Sequence, residues 1–180
     1  MDKDLLKDSR VTWISHRGNA HSFPENTAAA FDCAVADGFP VLETDLRPTS
    51  DGHIVLSHDR SLLRVAGVDR PVDLLTRAEL EKIGLGEGHR LLFLDQFIDR
   101  YREKRWIFDL KAENAHVTIR NMKSLFQDEA IASLVLERTT VLCWTSGHQR
   151  MMRDELGFQS FYARKWQCFR AAMKIGRAHV

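Results

Sequence analysis

The chain has 180 residues, enough for one domain with a real hydrophobic core. Its net charge is +1, with both signs mixed along the chain, which argues against a nucleic-acid or polyanion partner. No apolar run approaches a membrane span, so stable membrane insertion is not expected.

The N-terminal stretch Met1 to Val11 is charged and has no apolar signal region, so export is not expected. Val11 to Ser15 reads as a first strand. A helix is expected after Pro24, with Pro24 in its first turn and Glu25 at the positive end of its dipole. Phe31 and Val35 share a helix face, and Gly38 is the expected stop. Val41 to Leu46 is the second strand. The turn Ser50-Asp51-Gly52 leads to a third strand, Ile54 to Ser57. Leu62 to Arg90 is irregular, with a short helix near Arg77 to Ile83. Leu94 to Tyr101 reads as helix, Arg105 to Leu110 as a fourth strand and His116 to Gln127 as helix. Thr140 to Trp144 is a fifth strand, a helix through Met151 ends at Gly157, and Phe158 to Ala163 is a sixth strand. Strand then helix, repeated, predicts an α/β protein with a parallel sheet. Periodicity leaves both an open sheet and a barrel possible.

Cys33, Cys143 and Cys168 are widely spaced and form no zinc pattern. They read as reduced thiols of a cytoplasmic protein.

The polar groups of interest gather at strand ends. His16 and Arg17 follow the first strand, and His58 and Asp59 the third. Glu43 and Asp45 lie two apart in the second strand, as Asp109 and Lys111 do at the end of the fourth. Residues two apart share a strand face. Two inward carboxylates repel, and a hard divalent cation relieves that cost, with Asp109 as a third ligand. Arg17 and Lys111 suit a phosphate. Two histidines can divide proton transfer near neutral pH. Each piece has a plainer reading: a solvated histidine, an edge-strand acid pair, a surface ion pair, or Asp59 starting a turn. His21, His53, His89, His116 and His148 read as structural or exposed. Four clusters at successive strand ends favour the joint functional reading.

The stretches Ser15-His16-Arg17-Gly18, Pro24-Glu25-Asn26-Thr27 and Ala30-Phe31 resemble the opening of glycerophosphodiester phosphodiesterases. So do Glu43-Thr44-Asp45, Thr49-Ser50-Asp51-Gly52 and His58-Asp59. The resemblance is specific from Ser15 to Asp59, weaker to Lys111, and slight beyond Trp144. It implies a (β/α)8 TIM-type barrel with a small insertion, here about residues 62–90. It implies one divalent cation, Mg²⁺ or Ca²⁺, on Glu43, Asp45 and Asp109, where the family more often has Glu at the last position. It implies His16 and His58 as the acid/base pair, and Arg17 and Lys111 on the phosphate of a small glycerophosphodiester. The implied reaction proceeds through a cyclic phosphate to glycerol 3-phosphate and an alcohol. Alternatives are a related barrel phosphodiesterase, phospholipase C-like or D-like, a non-catalytic phosphate-binding domain, or a hydrolase acting at carbon, against which Arg17 beside Lys111 speaks.

Such a barrel usually needs about 250 residues. The chain offers six strands, so the barrel is expected to be truncated after about six. The tail Ile175 to Val180 is what the codons ATC GGA AGA GCA CAC GTC spell, and these resemble a sequencing adapter. Residues 1–174 are thus expected to be a partial barrel domain and 175–180 a non-native tail, the fragment itself being unstable or inactive.

Overall fold

The computed structural model describes residues 12–162. In chain order these form β1 (Ile14–His16), α1 (Ala28–Ala36), β2 (Val41–Pro48), β3 (Ile54–Leu56), β4 (Ser61–Leu62), α2 (Leu63–Ala66) and β5 (Val68–Pro71). Then follow α3 (Arg77–Leu80), α4 (Leu94–Arg100), β6 (Arg105–Leu110), α5 (Ala115–Leu125), α6 (Glu129–Arg138), β7 (Thr139–Cys143) and α7 (Ser146–Leu156).

Strands β1, β2, β6 and β7 lie side by side in that order, all parallel, with helices in the crossovers. This is the strand arrangement of a TIM-type α/β fold. Beyond β7 the ladder continues as a parallel bridge from Val141 to Phe161. That bridge falls within the expected sixth strand, whose last residue, Ala163, lies outside the described residues. So do Cys168 and the 175–180 tail.

Alternation on β6 divides the molecule. Trp106, Phe108 and Leu110 face the helices and are almost wholly buried. The rings of Trp106 and Phe108 stack with centroids 6.0 Å apart, and Phe97 of α4 packs on both. Each such side chain contributes roughly 1.5–3 kcal/mol on burial. The opposite face of β6 carries Asp109.

The third strand differs from its expected place. β3 pairs antiparallel with the far end of β2, Leu46 opposite Leu56 and Pro48 opposite Ile54. A parallel crossover takes about a dozen residues or more, and the connection here is a tight turn. Gly52, at φ +90°, lets that turn form, and the Thr49 N–H donates to the His53 carbonyl at 2.9 Å. β3 is therefore a hairpin arm, and it returns the chain to the level of Asp45, whose carbonyl accepts the Ser57 N–H at 3.1 Å.

Helix α1 starts later than expected. Thr27 is its N-cap, its hydroxyl accepting the Ala30 N–H at 3.2 Å and donating to the Pro24 carbonyl at 2.7 Å. Pro24 and Glu25 thus sit in the preceding turn, which frees Glu25 for the site. Helix α6 has no counterpart in the sequence reading. Asp128 starts it, accepting N–H bonds from Ala130 at 2.9 Å and Ile131 at 3.1 Å.

Between β3 and α4 the chain builds a second small core of Val55, Leu62, Val72, Leu75, Leu80 and Phe93. Thr76 and Glu79 cap α3 reciprocally. Among the described residues no helix is long and apolar enough to cross a membrane.

Candidate functional site

Strand register assembles the acids. Glu43 and Asp45 share a face of β2, and Asp109 stands directly opposite Asp45 on β6. One carboxylate oxygen from each lies within 4.8 Å of the others, and all three residues are buried. Burial pushes the Glu43 carboxyl up to about 8, helped by the charges of Asp45 and Asp109. Asp45 stays low: burial is the largest single influence and raises it, but hydrogen bonds from Lys111 and Asn26 and the nearby cations outweigh that.

Two cations lie on these acids. Lys111 Nζ is 2.6 Å from Asp45 Oδ1 and 2.5 Å from Asp109 Oδ2. Burial alone would lower the Lys111 ammonium, but its two carboxylate partners hold it above its ordinary value. Arg17 Nε is 3.0 Å from Asp45 Oδ2, and its Nη1 is 3.4 Å from Glu25 Oε1. Asn26 adds an amide hydrogen bond to Asp45 Oδ2 at 3.0 Å and accepts from Thr44 Oγ1 at 2.9 Å. Three carboxylates meet two cations, and Glu43 carries the imbalance. All three acids offer hard oxygen, the donor chemistry that a divalent cation such as Mg²⁺ or Ca²⁺ takes.

The loop after β1 is bent to reach this point. Arg17 has φ +60° and Gly18 φ +79°. The Arg17 N–H donates to the Glu43 carbonyl at 3.0 Å and to its Oε2 at 3.2 Å. Gly18 packs against Ala30 of α1 so closely that a Cβ would fall 2.6 Å from backbone carbon. Left-handed backbone at a non-glycine residue costs energy and clusters at functional sites.

His16 Nε2 lies 3.8 Å from Glu43 Oε2 with an exposed ring. Partial burial, then the Arg17 charge, lowers its pKa, so it is mainly neutral at pH 7. His58 arrives on the hairpin arm rather than at the carboxyl end of a barrel strand. Its Nδ1 is 2.6 Å from Asp59 Oδ1, and Asp59 turns its other oxygen to Arg64. Arg47, the next residue after Asp45 on the same β2 face, donates Nε and Nη2 to the His58 carbonyl at 3.0 and 2.7 Å. Its Nη2 also reaches Glu113 at 2.9 Å. Trp144, directly after β7, donates its indole N–H to Asp109 Oδ1 at 2.8 Å. A hollow of about 420 Å³ opens here, lined by His58, Lys111, Trp144, Arg47 and Glu113 among others.

His16, Arg17, Glu43, Asp45, His58, Asp109 and Lys111 thus converge on one end of the sheet. The sequence reading missed Glu25, Asn26, Arg47, Arg64 and Trp144, and gave Asp59 no chemical role. Period two along β2 could have found Arg47, and the position after β7 could have found Trp144. His89 stands apart, edge-on to Phe23.

The family model for the glycerophosphoryl diester phosphodiesterase family matches residues 16–179. The human glycerophosphodiester phosphodiesterase 1 is 34 % identical over 136 residues, covering 69 % of this chain and 40 % of that protein. The chain therefore spans under half the length of this relative. A glycerophosphoryl diester phosphodiesterase domain from Mycobacterium tuberculosis superposes with TM-score 0.78 at 17 % identity, covering 93 % of this chain and 65 % of that one. A phosphodiesterase from Oleispira antarctica, solved with its product sn-glycerol-3-phosphate, gives TM-score 0.62 at 18 % identity, covering 91 % of this chain and 80 % of that one. At such identities the superpositions establish the fold alone. The family match covers most of the sequence, including every one of the converging side chains, and on it the chain belongs to the glycerophosphoryl diester phosphodiesterase family.

Proposed function

We propose that this chain carries the site for metal-dependent hydrolysis of small glycerophosphodiesters to glycerol 3-phosphate and an alcohol. The carrying observation is the buried triad Glu43, Asp45 and Asp109, flanked by His16 and by the His58–Asp59 pair. The human relative's name and the product in the Oleispira antarctica structure support the substrate class.

Glu43, Asp45 and Asp109 would hold one divalent cation, Mg²⁺ or Ca²⁺, which when bound polarises a phosphoryl oxygen and offsets its charge. Arg17 and Lys111 bind the phosphate, Arg17 with a planar fork and Lys111 as a point charge. His16, mainly neutral, takes the proton of the glycerol hydroxyl next to the phosphoester as that oxygen attacks phosphorus. The bond from phosphorus to the head-group alcohol breaks, and that oxygen takes a proton from His58. Asp59 holds the His58 ring through Nδ1. In the second half, water attacks the cyclic phosphate and gives its proton to His58. The ring oxygen leaves with the proton that His16 holds. The reduced thiols Cys33 and Cys143 fit a cytoplasmic location, which belongs to this proposal.

The test is phosphorus NMR of protein expressed from the complete reading frame. The substrates are glycerophosphocholine and glycerophosphoethanolamine, with Mg²⁺ or Ca²⁺. Glycerol 3-phosphate should appear, with a transient cyclic signal. Phosphate ester binding without turnover would leave a phosphate-binding domain instead, and turnover confined to phospholipids would leave a phospholipase.

A further inference from the structure

We propose that Arg64 is a positioning residue: from outside the barrel sheet it fixes the ring of His58 by locking Asp59 against Glu25. Arg64 lies on α2, in the stretch that builds its own small core. Its guanidinium meets Glu25 fork to fork, Nη2 to Oε1 at 2.6 Å and Nη1 to Oε2 at 2.9 Å. Its Nε meets Asp59 Oδ2 at 2.5 Å. Asp59 is left with one oxygen facing outward from this clamp, and that oxygen holds His58 Nδ1 at 2.6 Å.

The arrangement uses all three nitrogens of one planar cation, which a lysine cannot do. Glu25 comes from the turn before α1 and also touches Arg17, so its carboxylate is a fixed anchor. The hydrogen bond from Arg64 is the main reason that the Glu25 carboxyl sits below its ordinary value. Exposed ion pairs contribute little to stability, and Arg64 is half exposed. Its role is therefore geometric. With Asp59 immobilised, His58 keeps a proton on Nδ1 whether or not Nε2 carries one, and Nε2 is left for the hollow. Without Arg64, Asp59 loses one of its two partners, faces Glu25 as a like charge, and is free to swing off the ring.

The kinetic arm of the test rests on the function proposed above, while the spectroscopic arm does not. In histidine-labelled protein, long-range nitrogen–proton NMR reads which ring nitrogen of His58 is protonated, with His58→Gln identifying its signals. The native protein should show the Nδ1–H form. Arg64→Gln should move it to a mixture with the Nε2–H form, and Arg64→Lys should fall between. Turnover of glycerophosphocholine should fall about tenfold in kcat for Arg64→Gln with KM little changed. If Arg64→Gln unfolds, Arg64→Lys alone carries the reading. A His58 ring signal unchanged in the folded variants overturns the proposal. Absent turnover in the native protein, with the ring shift still seen in the variants, removes the hydrolase reading and leaves the positioning role standing.

Discussion

Lys111 lies 2.6 Å from one oxygen of Asp45, while Arg17 holds the other oxygen of that carboxylate at 3.0 Å. Asp45 is thus gripped on both sides, and Lys111 also bridges to Asp109. Removing one partner of a buried pair strands its charge, at about 3–5 kcal/mol. Lys111→Met should lose stability on that scale in urea unfolding with chelator present. Added Mg²⁺ or Ca²⁺ should stabilise the variant more than the native protein, because the cation replaces the missing positive charge. Equal stabilisation of both would mean that the cation binds elsewhere.

Gly18 and Gly52 both adopt positive φ, but their surroundings differ. A Cβ at Gly18 meets backbone and side-chain carbon of Ala30 at 2.6 Å, whereas one at Gly52 meets nothing within 4 Å. Gly52→Ala should therefore cost only the left-handed backbone penalty, about 1–2 kcal/mol. Gly18→Ala should cost more, by a further 1–3 kcal/mol or about that from overpacking. It should also displace Arg17 and abolish turnover. Equal melting temperatures for the two variants would contradict this difference.

Asp32 ties α1 to α4. Its carboxylate accepts from Arg100 at 2.8 and 2.5 Å and from the Tyr101 hydroxyl at 2.9 Å. The Arg100 hydrogen bond leads in lowering its pKa below 3.8, and burial opposes it. The unfolded chain therefore takes up this proton at higher pH than the folded one. The stability that Asp32 adds is complete above about pH 4 and fades as pH falls through the lower folded value. Asp32→Asn should flatten that part of the acid limb in melting temperature against pH. An acid limb identical to the native one would show that the pair adds nothing.

Local pattern made much of this molecule legible. Alternation placed Glu43 beside Asp45, and the spacing of Asp109 and Lys111 brought both to the end of β6. The strand–helix rhythm gave the parallel sheet. The direction of β3 was also readable from its short connection, yet its apolar run looked like any barrel strand. What alternation could not reveal was contact across the chain. Arg47 and Glu113 are 66 residues apart, and Arg64 and Glu25 are 39 apart. Such pairs depend on how the hairpin arm and the small second core fold back over the sheet. Helix α6 was missed because its apolar residues form no clear one-sided stripe and only Val135 is fully buried, although Asp128 before Glu129 is a start signal.

His16 is reachable for substrate, with its ring exposed and Glu43 Oε2 3.8 Å from its Nε2. Its removal should leave packing intact and delete one proton carrier. His16→Ala should lower kcat by roughly 10²–10⁴-fold with melting temperature and cation affinity nearly unchanged. Turnover like that of the native protein would remove His16 from the acid/base pair.

Trp144 stands behind Asp109 rather than on the proposed cation. Its indole N–H bonds Asp109 Oδ1, while Lys111 occupies Oδ2, so both oxygens of the shorter acid are oriented by neighbours. A partner that orients a ligand changes cation affinity by about 10–100-fold when it is lost. Trp144→Phe keeps an aromatic ring and deletes the hydrogen bond. Calorimetric titration with Mg²⁺ and Ca²⁺ should therefore show weaker binding to Trp144→Phe than to the native protein, near the lower end of that range. Asp109→Asn, which removes the ligand charge itself, should weaken it further. If Trp144→Phe binds as tightly as the native protein while Asp109→Asn does not, the indole serves the hollow and not the ligand.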